Sequence, residues 1–596
     1  MSLNLFQLLL LSVVHLFPGV DSSEPVHIRV NQVGYLPIET KIAIAFSNVR
    51  VNEKFELISD ASGSTVLIIK PRRNRSEGWD TFKYYYELDF SKFDQSGVYF
   101  LKGMRSGIRS GILHISPSSY DHYQEQLLGF MRQQRCGYNP ALDMVCHQKD
   151  GRSFYGPMPD STYVDVTGGW HDAGDMLKYL ITGSYATAHM LMAFTLYPEK
   201  FQDRTNALGQ PGANGIPDVL DEARWGLEWI HKLHPLPGVL VHQVGDDRDH
   251  VGWKMPDSDP ADYGWGKNSY RAAYIATGEP QGLNKYKSEA TGISNLAGRS
   301  AAAMALAARI WKSDLDDPVF AEKCLISAQS LFALGKEKEG FQQGNSFGAP
   351  YRYGEVTWAD DMEWGAAELF KTTGDSSYLT DGVRYARQAA TDTWMPYDTA
   401  KHYQYYPFIN MGHYSLHEVA EEGLKDTLAA YYRSGIDQCL KRAGENPFGI
   451  GIPFIWCSNN LLTSMISQVI LYEQMTGDTR YHHFMVEQRD WLFGRNPWGT
   501  SMFTGIPEKG EYPVDVHTSI WALTKKEIAG GLVDGPVYGT IYRSLLGLEL
   551  TEPDEFASFQ NKYVVYHDDI GDYSTNEPTM DGTAGAILMM AYWASQ

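Results

Sequence analysis

The chain has 596 residues, of which 43% are hydrophobic and 21% charged, and a formal net charge of −21. That length exceeds one ordinary core and predicts two or more domains. The charge excludes a nucleic acid or an anionic membrane surface as partner, because like charges repel, and leaves a neutral polymer or a small molecule.

Residues 5–18 are mostly apolar (LFQLLLLSVVHLFP), and small or polar residues follow at 19–22. The run is shorter than the roughly 18–20 residues of a membrane span, and no later segment reaches that length. The pattern predicts a signal peptide over residues 1–22 and an exported, soluble product, periplasmic or extracellular. Residues 26–30 alternate in polarity, 41–46 are rich in strand formers, and 81–88 and 97–102 continue the pattern. Turn-forming Asp-Ala-Ser-Gly at 60–63 and Asp-Gln-Ser-Gly at 94–97 separate them. Short strands at such spacing predict a β-sandwich over residues 23–117.

From about residue 119 the text changes to amphipathic helices, clearest at 296–311, 320–333, 362–372, 427–443, 460–476 and 584–594. AAYIATGE at 272, AAELFKTTGD at 366 and ILYEQMTGD at 470 echo one another as helices ending on Thr-Gly, where glycine can take the left-handed cap. Repeated helix–cap–helix units predict a toroid or solenoid of helical hairpins over residues 118–596. The long Gly-, Pro- and Asp-rich loops between helices are candidates for function or metal stapling. Five cysteines are too few for a disulfide framework, and Cys324, Cys439 and Cys457, set in apolar helical text, read as buried free thiols.

Two segments carry acid–base chemistry. In GGWHDAGD at 168–175, Asp172 and Asp175 stand three residues apart, with Ala-Gly between them to permit a sharp bend and close approach of a substrate. Two such carboxylates can hold and deprotonate one water; helix capping is the alternative use of the same spacing. In YHDDIGDYSTNEPTMD at 566–581, five acids and a histidine precede an apolar helix. Such density is costly unless cations or a substrate use it, the alternative being a solvated loop with Asp581 as a cap. Glu577, held between Asn and Pro and leading into a buried helix, is placed to have a raised pKa, as a general acid requires.

Together these segments resemble glycoside hydrolase family 9: DAGD matches the base motif and DYSTNEPTMD the acid motif. NGIPDVLDEARWGLEW from Asn214, VGDDRDHVGW from Val244 and FGRNPWGTSMFTG from Phe493 follow in the family's order. HIRVNQVGYLP at 27–37 is similar to the immunoglobulin-like module that precedes and braces many such catalytic domains. The resemblance implies an all-α (α/α)6 barrel after the sandwich, with Asp175 as base, Asp172 as its partner on the water and Glu577 as acid. It implies inverting hydrolysis of a β-1,4-glucan, for which the carboxyls stand about 6.5–9.5 Å apart. Substrate contacts fall to His250, Trp253, His517 and Tyr573. Where many members carry Pro-His-His-Arg, this chain has PVDVHTS at 513–519, which keeps one histidine, His517, and lacks the arginine.

Cys136, Cys146, His147 and His171 have the ligand chemistry of a structural zinc, which the resemblance places here; a Cys136–Cys146 disulfide is the alternative. Thr357, Asp360 and Asp361 are similar to the family's calcium loop, with simple helix capping as the alternative. No organic cofactor is expected, and the chain is expected to act as a monomer on a polysaccharide or oligosaccharide. The leading function is an endo-acting β-1,4-glucanase, against an exo-acting β-glucosidase or glucosaminidase of the same fold and a non-catalytic glycan-binding protein.

Overall fold

A computed structural model describes residues 25–76, 79, 81–390 and 411–596. The expected signal peptide lies outside these residues. Among them no helix is long and apolar enough to cross a membrane.

The N-terminal strands form two four-stranded sheets. One is ordered β1 (His27–Arg29), β2 (Ile42–Ser47), β6 (Tyr84–Asp89), β5 (Arg72–Asn74), and the other β4 (Thr65–Ile69), β3 (Phe55–Ser59), β7 (Gly97–Gly103), β8 (Leu113–Ile115). Strand β2 reads IAIAFS and is buried throughout, although a sandwich strand ordinarily has one wet face. Its two faces serve two cores. Ala43 and Ala45 join the sandwich interior with Tyr86 and Leu88, whereas Ile42, Ile44 and Phe46 pack into the large core of the helical domain. The period of two therefore divides one apolar run between both domains.

The joint is also ionic. Arg489, fully buried in the helical domain, donates from Nη1 and Nη2 to both Glu39 oxygens at 2.8 Å. Asn31 donates from Nδ2 to Asp490 Oδ1 at 2.7 Å. The sandwich thus supplies partners that charged groups of the barrel need.

Helix α1 (Tyr123–Gln133) opens the helical domain and is followed by the hairpin β9 (Tyr138–Asn139) and β10 (Met144–Val145), then β11 (Arg152–Phe154) and β12 (Lys178–Tyr179). Next come α2 (Leu180–Leu196), α3 (Asp218–Leu233), β13 (Val241–Val244), β14 (Ala272–Ile275), α4 (Ser294–Ser313), α5 (Pro318–Glu337), α6 (Ala359–Thr373) and α7 (Ser376–Ala389). Then follow α8 (Gly412–His417), α9 (Glu422–Ala443), α10 (Ser458–Thr476), α11 (His482–Leu492) and the short α12 (Ser519–Thr524). The chain closes through β15 (Leu532–Val533), β16 (Val537–Tyr538), α13 (Gly539–Tyr542), β17 (Val564–Val565), β18 (Pro578–Thr579) and α14 (Met580–Ala594).

Helices α2, α4, α6, α8, α10 and α14 form an inner ring, each packed on the next and α14 back on α2. Helices α1, α3, α5, α7, α9 and α11 pack outside it. This is the expected (α/α)6 barrel. The ring helices α2 and α14 are apolar on every side, as buried helices are, while α3 buries one stripe through Val219, Ala223, Leu227 and Ile230.

The expected helices are all present, though α9 starts at Glu422, five residues before the predicted 427, because EEGLKDT carries too little apolar text to show a period. Gly374 and Gly477 take the left-handed cap with φ of 73° and 68°. The third echo is a correction. AAYI at 272–275 is β14, inserted between β13 and β11 with all four residues buried. A short buried run has no polar face to reveal its period, so an Ala-rich strand reads as a helix end.

Candidate active site

The 168–175 segment crosses one end of the barrel just before α2. Asp172 N–H donates to Leu177 O at 2.9 Å, closing a loop that presents Asp175. The N-cap of α2 is Tyr179, so neither aspartate caps that helix. Asp175 Oδ1 accepts the Leu177 N–H at 2.8 Å, while Oδ2 meets the Tyr351 hydroxyl at 3.3 Å and His250 Nε2 at 3.5 Å. Burial alone would raise the Asp175 pKa. The hydrogen bond and charge of His250, the Leu177 N–H and Lys254 outweigh it and hold the carboxyl below the ordinary aspartate value. Asp172 lies deeper, accepting from the Thr182 hydroxyl on Oδ1 at 2.5 Å and from the Tyr353 hydroxyl on Oδ2. Burial, then Asp581 and Asp175, push it well above the aspartate range.

Glu577 precedes β18, which pairs with β15. Its Oε1 accepts the Gly174 N–H at 2.8 Å, joining the two sequence motifs across 403 residues. Burial, then Asp534 and Asp175, push Glu577 well above the usual glutamate value. Met580 N–H donates to Asp172 O at 2.9 Å, a second bond between the motifs. There is no room for a side chain at Gly174: a Cβ there would stand 2.2 Å from His517 O and 2.8 Å from Glu577 Oε1.

The remaining acids of the 566–581 stretch are used by backbone. Asp568 accepts the Val514 and Asp515 N–H groups at 2.8 and 3.0 Å. Asp569 accepts from Thr551, Glu552 and Gly571, and Asp572 accepts from Ser574, Thr575 and, at 2.7 Å, His567 Nδ1. The stretch is therefore not a solvated loop, because Asp568, Asp569 and Asp572 accept from peptide donors. Asp581 lies in the first turn of α14, whose N-cap is Thr579.

The four expected substrate contacts come together beside the carboxyls. The rings of Trp253 and His517 meet at 4.8 Å, His517 and Tyr573 at 6.0 Å, and Tyr573 and Trp456 at 5.8 Å. His517 Nδ1 lies 2.6 Å from Ile570 O. A carbonyl only accepts, so the proton sits on Nδ1 and Nε2 is an acceptor. Burial keeps this imidazole below its ordinary pKa, hence neutral. His250 packs edge-on to Tyr351 at 4.6 Å. Sequence reasoning missed Tyr351, Tyr353 and Trp456. The Tyr-Arg-Tyr alternation at 351–353, which aims both tyrosines at one side, is the only signal for the first two.

A further buried chain of contacts runs beside Asp175. Asp249 Oδ2 accepts the Met176 N–H at 2.8 Å, and Lys254 Nζ bridges Asp249 Oδ1 at 2.7 Å and Asp259 Oδ1 at 2.8 Å. Asp259 Oδ2 lies 3.2 Å from His147 Nε2. His147 belongs to the one cluster of histidine, cysteine and carboxylate donors that converges among the described residues: Cys136, Cys146, His147 and His171, with their ligand atoms within 4.8 Å of one another. The two Sγ atoms are 4.0 Å apart, about twice a disulfide bond, and all five cysteines are free thiols and buried. Cys146 Sγ to His171 Nε2 is 3.8 Å and His171 Nε2 to His147 Nδ1 is 3.4 Å. Tetrahedral zinc, with bonds of about 2.3 Å to sulfur and 2.0 Å to nitrogen, has ligand–ligand edges of about 3.3–3.8 Å. The donor set fits zinc, and Asp259 on the outer nitrogen of His147 is the usual second partner of a metal-bound histidine.

The acids of the Thr357, Asp360, Asp361 loop have an arginine partner. Arg299, 1% exposed, donates from Nε to Asp361 Oδ1 at 2.7 Å and from Nη2 to Glu355 Oε1 at 2.9 Å. Asp360 is pushed up to about 7 by burial and Glu355, and Thr357 is half-buried ahead of α6.

Comparison with known proteins agrees with this geometry. Residues 120–590 match the model of glycosyl hydrolase family 9, and residues 23–106 match the cellulase N-terminal Ig-like domain. The chain belongs to glycosyl hydrolase family 9. It is 26% identical to Endoglucanase C of Cellulomonas fimi, over 97% of this chain but only 52% of that protein, so it spans about half the length of that relative. Its fold is that of a metagenome-derived glycoside hydrolase family 9 endoglucanase (TM-score 0.76, 24% identity, 96% of this chain and 99% of the other). The fold also matches a zinc-binding triple mutant of the family 9 endoglucanase J30 (TM-score 0.73, 24% identity, 94% and 99%).

The tight passage at Gly174 gives a direct test. Gly174→Ala is expected to keep the fold by circular dichroism and to lower kcat by about 100-fold or more, because an added methyl must part Glu577 from the base loop by about an ångström. Wild-type turnover in that variant would show that the contact does not set the catalytic geometry.

Proposed function

We propose that this protein is an inverting endo-β-1,4-glucanase in which Asp175 is the general base and Glu577 the general acid. The observation that carries the reading is the opposite displacement of two carboxyls at one site, Asp175 down and Glu577 up. Such a pair holds one proton on the acid and none on the base at the same pH. Asp175, steadied by His250 and Tyr351, draws a proton from a water, which attacks the anomeric carbon. The glycosidic C–O bond breaks as Glu577 passes its proton to the departing oxygen. Asp172, fixed by Thr182 and Tyr353 beside Asp175, helps to position the same water. The Trp253, His517, Tyr573 and Trp456 rings form the surface on which sugar rings stack.

Glucan chains are the proposed substrate, and export follows from the leader-like residues 5–18. A monomer is proposed, since every residue given a role here lies on one chain. We also propose a structural zinc on Cys136, Cys146, His147 and His171. It would staple the β9–β10 hairpin to the residue before Asp172. Metal analysis is expected to return one zinc per chain, and removing it to lower Tm. Metal-free protein with an unchanged Tm would refute the site.

Viscometry and reducing-end release on barley β-glucan, run for wild type and Glu577→Gln, test the reaction. The wild type is expected to drop viscosity early, and Glu577→Gln to lose at least 1,000-fold in rate, roughly the reach of general acid catalysis. Monosaccharide release at nearly constant viscosity would instead make the protein exo-acting. The kcat/KM profile follows from the signs. Activity falls at high pH as Glu577 loses its proton, above the ordinary glutamate value, and at low pH as Asp175 gains one, below the ordinary aspartate value. A profile limited on both sides by groups at ordinary values would contradict the assignment.

A further inference from the structure

Asp534 is a carboxyl 1% exposed that the reaction as described leaves without a role. It directly follows β15, and its N–H donates to Glu577 O at 2.9 Å, so the two residues are neighbours across the β15–β18 pair. Both Asp534 oxygens are gripped by donors: Oδ2 by Trp456 Nε1 at 3.2 Å and Oδ1 by Cys457 Sγ at 3.1 Å. The backbone is arranged around this contact. Cys457 sits at φ 58°, a left-handed conformation that a side chain rarely adopts, and the Asn459 N–H donates to Asp534 O at 3.0 Å. Both donors favour the anion of Asp534, against the burial that disfavours it. Glu577 accepts one N–H, from Gly174, on Oε1, which leaves Oε2 for a proton.

We propose that Asp534 is a positioning residue for the general acid, the carboxyl across the strand pair that takes the negative charge and keeps the reactive proton on Glu577. The charge of Asp534 raises Glu577, so the two buried carboxyls favour sharing one proton, and the donors on Asp534 favour its residing on Glu577. Glu577 also faces Asp175 and Asp172, whose charges act in the same direction as that of Asp534. Burial pushes Asp534 well above the ordinary aspartate value; Asp581 and Asp572 act in the same direction, and Cys457 and Trp456 act against it. Without Asp534 the acid would release its proton at lower pH, and the enzyme would lose activity at neutrality while keeping it in acid.

The inference rests on Glu577 as the acid, so the test includes both. The kcat/KM profile on a soluble β-glucan is measured for wild type, Asp534→Asn, Cys457→Ala and Glu577→Gln. Asp534→Asn is expected to move the alkaline limb about one unit toward acid, a loss of about tenfold at a pH just above the shifted limb, with acid-side activity retained. Cys457→Ala removes one donor and is expected to move the limb in the same direction by less. A uniform loss with the limb unmoved would make Asp534 merely structural and overturn the proposal. If Asp534→Asn does not fold, Cys457→Ala decides by the same criterion. Wild-type rates in Glu577→Gln would remove the acid assignment itself. An inactive Glu577→Gln beside an unmoved limb removes only the role of Asp534.

Discussion

One hydrogen bond, Gly174 N–H to Glu577 Oε1 at 2.8 Å, holds the site together. It spans nearly the whole helical domain, because the motifs it joins precede α2 and α14, which are adjacent in the inner ring. Closing the barrel therefore brings the Asp175 loop and Glu577 together, and the bond couples the position of one to that of the other. Glycine is required there by the crowding of His517 O and Glu577, not by an unusual φ. The contact also leaves Glu577 in a water-poor wall beside other carboxyls, the environment that raises its pKa.

The base is held from the opposite side by a different device. From Met176 a buried line of contacts runs through Asp249, Lys254 and Asp259 to His147. His171, another member of the zinc-type cluster, stands next to Asp172 in sequence. The position of Asp175 is thus tied to a cluster that itself makes no contact with a glycosidic bond. The sandwich plays an analogous part at the far side, where Glu39 neutralises the buried Arg489.

Much of this was legible in the sequence. The helices, the sandwich strands and both catalytic motifs are local patterns, and the (α/α)6 barrel followed from the resemblance of the ordered motifs. What escaped were features whose meaning depends on a distant partner. Arg299, from α4, beside Asp361 is a partner that the local text at 357–361 does not announce. The crowded acids at 566–581 suggest cations or substrate, and the structure gives them backbone N–H groups from residues 514–575. Tyr351 and Tyr353 stand in a Gly- and Pro-containing loop with no motif, and Asp534 is a lone aspartate in GGLVDGPVYG. Each acquires a role only when the fold brings Asp175, Asp172 or Glu577 to it. The 272–275 strand escaped for a different reason, since alanine suits either element and burial on both faces erases the period.

The central claim is that Asp175 and Glu577 act from opposite sides of the glycosidic bond through a single displacement. Proton NMR of the first products from a short cello-oligosaccharide, read before mutarotation, tests it most directly. Initial α-anomer at the newly formed reducing end is the result expected from a water activated by Asp175. Initial β-anomer would mean retention through a covalent intermediate, and the assignment of base and acid to these two carboxyls would fall.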